Sequence, residues 1–220
     1  MSFVKLFYTD ASKYYDPVKL AWYIGRVDTE RRERIERAKN PETKAGLLVS
    51  GLIVPKTLKT VFGRDDFVLE KDEWGKPYVA NADGIYFNIA RAGKFVACAV
   101  SDIPVGVDIE EISAQEGFIN IADTFFSVME RNAIMMSPSP EEAFCRLWTL
   151  RESYVKMCGT GFDRGLAPLS CSFPGGTPKI NVDGKLREDV FFTEIRDIYL
   201  CRGAVCTLGA AEYSSEKIEV

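Results

Sequence analysis

Val105-Gly106-Val107-Asp108-Ile109-Glu110 alternates apolar residues with small or acidic ones, without a break. Strict alternation reads as a strand with two unlike faces. Val105, Val107 and Ile109 point one way, and Gly106, Asp108 and Glu110 point the other. The two carboxylates then stand about 7 Å apart along the backbone. From there they can converge on one hard cation such as Mg²⁺, which prefers oxygen ligands. The same pattern also suits an edge strand whose acidic face is simply solvated.

The chain follows a similar plan on either side of this strand. Upstream, a strand at 3–8 precedes an apolar patch at 20–24 and a charged helical stretch at 29–39, capped by Asp28. Asn40 and Pro41 start a second helix, with a capping side chain and then a proline at the first helical position. It runs to Phe62 and stops at Gly63, and Pro55 is expected to kink or break it. Strands are predicted near 67–69, 77–79, 84–89 and 94–101.

Downstream, Ser127 with Glu130 and Ser139 with Glu142 read as capping boxes. The second opens a long helix that ends at Gly159, a favoured C-terminal position. Strands follow near 169–173, 178–182, 190–195 and 198–208. Helices followed by antiparallel strands, twice over, predict an α+β fold of two similar lobes, 1–104 and 105–220. Each lobe would pack helices on a small antiparallel sheet.

Composition narrows the chemistry. The 220 residues carry 28 Lys and Arg against 32 Asp and Glu, a net charge of −4, and no histidine. A Ser-His-Asp or Cys-His nucleophile system is therefore excluded, and so is any imidazole-bound zinc. A general base has to be a carboxylate, Lys, Tyr or Cys. The six cysteines form no C-x-x-C pair and several sit among apolar neighbours, so they read as buried free thiols of a cytoplasmic protein. The N-terminus has no signal-peptide pattern. The apolar run 45–55 is too short to span a bilayer, so no membrane association is expected. The mild acidity argues against nucleic acid as a partner.

A second segment, Leu147 to Lys156, lies within the capped helix. Cys145, Thr149, Glu152 and Lys156 share one face at helical spacing, and Phe144, Leu147, Tyr154 and Cys158 make most of an apolar second face. Taken alone, Glu152 and Lys156 suit an exposed i,i+4 ion pair. Taken with the strand, Asp108, Glu110 and Glu152 make a three-carboxylate site. Three acids without counter-charge repel one another, so the cluster implies a bound cation. A cation beside Lys156 suits a pyrophosphate substrate.

Gly-Val-Asp-Ile-Glu at 106–110, followed by Trp-Thr-x-Arg-Glu-Ser-x-x-Lys at 148–156, resembles the paired signature of the phosphopantetheinyl transferases. The length resembles the surfactin-synthetase-activating type rather than the short trimeric holo-acyl-carrier-protein synthases. Gly75-Lys76-Pro77, Phe87-Asn88-Ile89 and Phe125-Phe126-Ser127 with Glu130 resemble further family motifs in the same order.

The resemblance implies Mg²⁺-dependent transfer of phosphopantetheine from coenzyme A to a serine of an apo acyl or peptidyl carrier protein. It implies a monomer whose two lobes are related by a pseudo-twofold axis, with the active site between them. By matched position, Asp108, Glu110 and Glu152 would hold the metal. Glu152 would also act as base, and Lys156 would contact the pyrophosphate. Arg31, Arg34, Lys44, Lys76 and Arg91 would bind the coenzyme, with Gly46 an alternative register for Lys44. Arginine suits phosphate because its planar fork donates two hydrogen bonds at once.

The chain departs from the family in the loop after Asn88, which reads Ile89-Ala90-Arg91-Ala92. Arg91 stands where the family has a histidine, and Ala90 and Ala92 stand at serine positions. Arg151 replaces a more frequent lysine. Two other readings remain at this level: a non-catalytic relative that binds carrier proteins, and a Mg²⁺-dependent nuclease. Carrier proteins are usually acidic, so their docking patch should be apolar with basic margins, and Phe118 and Ile119 are candidates.

Overall fold

The computed structural model describes residues 1–112, 117–161 and 169–220. The fold is α+β. The first part runs β1 (Ser2–Asp10), α1 (Pro17–Ile24), α2 (Thr29–Arg37), α3 (Pro41–Phe62), β2 (Leu69–Lys71), β3 (Pro77–Val79), β4 (Tyr86–Ala92) and β5 (Phe95–Ser101). Next come β6 (Val105–Glu111), α4 (Phe118–Phe125), α5 (Val128–Met135) and α6 (Pro140–Cys158). The chain closes with β7 (Leu169–Ser172), β8 (Lys179–Val182), β9 (Lys185–Leu186), β10 (Val190–Ile195), β11 (Cys201–Leu208) and β12 (Ala211–Lys217).

Short polar side chains start most of the helices by accepting from otherwise orphaned backbone N–H groups. Asp16 caps α1, Asp28 caps α2 and Asn40 caps α3. Ser127 and Glu130 close a full capping box on α5. Gly63 and Gly159 end α3 and α6 in the left-handed conformation, at φ 72° and 74°.

Two of these readings need correction. Pro55 does not break α3, which continues to Phe62. Pro55 lies on the exposed side of the helix, where its missing N–H costs least. Ser139 caps nothing with its side chain, and its backbone stands at φ −135° and ψ 85°; the reciprocal half of the box is lost too, since the Glu142 carboxylate is taken by Arg202, whose Nε and Nη2 donate to Oε1 at 2.7 and 2.5 Å.

Two principal sheets carry the fold, ordered β12-β1-β5-β4 and β10-β11-β6. The first is not purely antiparallel. Its outer strand β12 comes from the end of the chain and pairs parallel with β1. α3 buries Leu48, Ile53 and Leu58 against Val96, Cys98 and Val100 of β5. Its 22 residues are long and apolar enough to cross a membrane by length and composition, yet here they form the core of this part of the molecule. α6 buries Phe144, Leu147 and Tyr154 with Val190 and Cys206. A third core lies between the sheets, where Leu6, Ala97 and Ala99 meet Val107, Ile109 and Val205. The Asn88 side chain adds a stitch, accepting from the Val107 backbone N–H at 2.9 Å.

Gly106 sets how closely α6 lies on β6. A Cβ built there would stand 2.0 Å from the Ser153 carbonyl oxygen and 2.4 Å from the Met157 nitrogen. Only glycine allows that approach, since helix backbone cannot yield as a flexible side chain can. The Gly106→Ala variant is therefore expected to lose stability at or above the upper end of the roughly 1–3 kcal/mol typical of overpacked cores, read by urea denaturation. A loss under 1 kcal/mol would contradict this packing.

Arg151 is fully buried and anchors α5 to α6. Its Nη2 donates to Glu130 Oε2 at 2.7 Å, its Nη1 donates to the Phe125 carbonyl at 2.8 Å, and its guanidinium lies 4.3 Å from the Phe126 ring centroid. Glu130 also accepts from Cys171 N and from Ser127 N and Oγ. Burial pushes the Glu130 carboxyl up, but the Cys171 N–H, Arg151 and Ser127 outweigh it, and the net shift is below the ordinary 4.5. Removing one partner of such a pair strands the other, so Arg151→Ala is expected to cost about 3–5 kcal/mol. Because the Glu130 pKa is depressed, the wild-type advantage over Glu130→Gln should be complete near pH 7 and shrink as pH falls below about 4.5. Paired denaturation curves at pH 7 and pH 4 check both points.

Candidate active site

A cavity of about 490 Å³ opens between the two principal sheets and their helices. α2 contributes Arg31 and Arg34, and β4 contributes Ile89, Ala90 and Arg91. β6 contributes Asp108 and Glu110, and α6 contributes Trp148, Glu152 and Lys156, with Leu47 and Ser50 from α3. Seven predicted site residues therefore meet in one place: Arg31, Arg34, Arg91, Asp108, Glu110, Glu152 and Lys156.

The acidic end of the cavity is built on the contact between α6 and β6. Lys156 Nζ lies 2.5 Å from Asp108 Oδ1. Asp108 is buried, not part of a solvated edge. Burial raises its pKa above the ordinary carboxylate value, against the lowering effect of Lys156. Burial, and then the neighbouring Asp108 charge, push Glu152 up to about 7, with Lys156 opposing. Among the described residues, Asp108 Oδ2 and Glu152 Oε1 are buried without a hydrogen-bond partner. Among the described residues no three acidic or cysteine side chains converge into a preformed metal cage. The two orphaned oxygens, with Glu110 on the same strand and the same cavity wall, are nonetheless a hard-oxygen donor set that suits Mg²⁺.

The other end is cationic. Arg31 Nη1 donates to the Leu47 carbonyl at 3.3 Å, and its Nε lies 3.6 Å from Asp28. Burial lowers the Arg31 pKa, the nearby Asp28 opposes, and Arg34 adds to the lowering. Burial lowers that of Arg91, with further lowering from Arg34 and Arg31. Among the described residues the Arg34 and Arg91 side chains have no hydrogen bond or ion pair. Arg31 is partly buried while Arg34 and Arg91 are exposed, and guanidiniums that repel one another are stabilised by an anion.

Lys76 lines an adjoining hollow of about 280 Å³ that shares Ile89, Glu152 and Lys156 with the main cavity. Its Nζ donates to the Met157 carbonyl at 2.8 Å, near the end of α6, and burial pulls its pKa down. Lys44 does not line the main cavity.

A profile of the 4'-phosphopantetheinyl transferase superfamily matches residues 104–207. A 4'-phosphopantetheinyl transferase of Bacillus subtilis is 30% identical over 151 residues, covering 67% of this chain and 66% of that protein. The 4'-phosphopantetheinyl transferase gsp of Aneurinibacillus migulanus is 35% identical over 139 residues, covering 61% of this chain and 57% of that protein. This chain belongs to the 4'-phosphopantetheinyl transferase superfamily. The matched stretch spans less than two thirds of the length of these curated relatives, 66% of one and 57% of the other.

Three features of this superfamily member escape the sequence reading. Trp148 lines the cavity, and the spacing 148, 152, 156 on α6 was the available signal. Ser50 lines it from α3, where its Oγ donates to the Gly46 carbonyl at 2.7 Å, and no motif marks it. Arg151 serves the core and not the site. Phe118 is also buried, 5.4 Å from the Phe144 ring, whereas Ile119 is exposed. Among the cysteines, Cys98, Cys145, Cys201 and Cys206 are buried, while Cys158 is exposed.

The raised Glu152 pKa implies that its ionised form is costly in the metal-free protein. A raised carboxylate contributes stability at low pH that is lost as pH rises through the folded value, here about 7. Glu152→Gln is therefore expected to be more stable than wild type at pH 8 in chelator, with the gap closing by pH 5. Urea denaturation at the two pH values measures it. A variant less stable at pH 8 would contradict the assigned burial.

Proposed function

We propose that this protein transfers the phosphopantetheine group of coenzyme A to a serine of an acyl or peptidyl carrier protein, with Mg²⁺ required. One observation carries the reading. A single cavity holds three arginines at one end, buried carboxylates with orphaned oxygens at the other, and Lys156 beside Asp108. That charge arrangement suits a ligand that carries a phosphate as well as a pyrophosphate. The names of the matched relatives support the same reaction.

In this reading Arg31, Arg34 and Arg91 take the phosphate of the nucleotide end, and Lys76 approaches from the adjoining hollow. Asp108, Glu110 and Glu152 would hold the Mg²⁺. When bound, the ion would neutralise pyrophosphate oxygens. Glu152 accepts the serine hydroxyl proton. The serine oxygen bonds to the phosphorus that bears the pantetheine arm. The bond to the other phosphate breaks, and its electron pair leaves with the adenosine bisphosphate. Lys156 meets the charge that builds on that leaving phosphate. A carboxylate base fits a chain with no histidine.

The cavity would lie between the proposed lobes 1–104 and 105–220, related by a pseudo-twofold axis and acting together as one monomer, with β12 of the second crossing over to pair with β1 of the first. The packing of α3 on β5 and of α6 on β6 supports that pairing. The carrier would dock on an apolar surface with a basic margin. Ile119 of α4 and Val128 and Met129 of α5 are exposed, with Arg131 on the same helix as the latter two.

The test is to mix the protein with apo carrier protein, coenzyme A and Mg²⁺ and to weigh the carrier by mass spectrometry. The carrier should gain the phosphopantetheine mass, and Glu152→Gln should lower the rate by at least about 100-fold with its fold intact. Arg91→Ala should raise KM for coenzyme A. No mass gain across varied pH and divalent metal would refute the reading.

A further inference from the structure

Two glycines lie inside α3, the buried Gly46 and the partly buried Gly51. Glycine is unfavourable in a helix interior relative to alanine, so each asks for a reason. Gly51 has one in helix packing. A Cβ there would stand 2.7 Å from Val27 Cγ1 and 2.6 Å from Arg31 Cδ, and both neighbours belong to the segment that packs α2 on α3. Gly46 is different. Among the described residues, its added Cβ would meet only Arg91 within 4 Å, at 3.3 Å from both Cδ and Nη1. Arg91 reaches across from β4 and lays its side chain over bare helix backbone.

Resting on the proposed function, we propose that Gly46 is a positioning residue. Its missing side chain is the seat that holds Arg91 towards Arg31 and Arg34, so that three guanidiniums surround one dianionic group such as a phosphate monoester. The charged neighbours of Arg91 are Arg34 and Arg31 of α2, and Arg31 is itself held beside Asp28. Repulsion among the three would swing a loosely held Arg91 out towards solvent. The seat over Gly46 resists that swing by packing the aliphatic stem. A side chain at 46 would compete for the same space, so the residue at 46 governs whether β4 can supply the third arginine. A side chain at 91 and one at 46 are then alternatives for a single guanidinium position.

Steady-state transfer kinetics test this with a double-mutant cycle and one relocation. Gly46→Ala should raise KM for coenzyme A by about threefold to tenfold and leave kcat within about twofold, because the contact shifts without touching the reacting atoms. Its thermal midpoint should not fall, since alanine is the better helix former. In the Arg91→Ala background, Gly46→Ala should have no further effect on KM. Gly46→Arg with Arg91→Ala should recover part of the lost affinity by delivering the guanidinium from α3. An unchanged KM for Gly46→Ala, the same rise with and without Arg91, or a fall in thermal midpoint would each overturn the seat. A wild-type protein with no saturable transfer would overturn the functional reading, and this inference with it. A wild-type protein that works beside an indifferent Gly46→Ala variant would overturn the seat alone.

Discussion

The backbone of α6 rests directly on the backbone of β6 at Gly106, and the site depends on that contact. A helix normally stands off a strand by the length of the side chains between them. Here one residue has none, and the Ser153 carbonyl occupies the space where a Cβ would be. The approach brings Asp108, two residues along the strand, beside Lys156. It also sets Glu152 close enough to Asp108 for the two charges to disturb each other. The same glycine that packs the core thus sets the spacing of the carboxylates.

The contact is held from both sides. Arg151, one residue before Glu152, is locked into Glu130, the Phe125 carbonyl and the Phe126 ring. Asn88, three residues before Arg91, ties β4 to β6 through the Val107 N–H. The cationic wall and the acidic wall are therefore positioned by separate anchors on either side of β6. The site itself is stressed in electrostatic terms, with buried carboxylates at one end and crowded arginines at the other. The surrounding core offsets that cost with well-satisfied partners, and ligand charges of opposite sign would relieve it.

Much of this was legible in residue order. Asp28, Asn40, Ser127, Gly63 and Gly159 marked helix ends because capping depends on the local chain alone. Asp108, Glu110, Glu152 and Lys156 were legible because alternation and helical spacing place them on defined faces. What stayed hidden depends on distant partners. Ser139 has the local form of a cap, but Arg202, far along the chain, claims Glu142. β12 is mostly exposed and pairs with a single neighbour, so its sequence shows little strand patterning. Positions 44 and 46 are equivalent candidates in the sequence, because only the fold lays the side chain of Arg91 over position 46. Arg151 stands out in the sequence only as a replacement for a more frequent lysine, and packing reveals it as an anchor.

The central claim is that the cavity is one binding site for a phosphorylated ligand and a divalent cation together. Calorimetric titration of coenzyme A into the protein, with Mg²⁺ and then with chelator, tests it most directly. The account predicts saturable binding that is markedly tighter with Mg²⁺, because the ion and Lys156 share the charge of the pyrophosphate. Equal affinity in both buffers, or no binding in either, would contradict it.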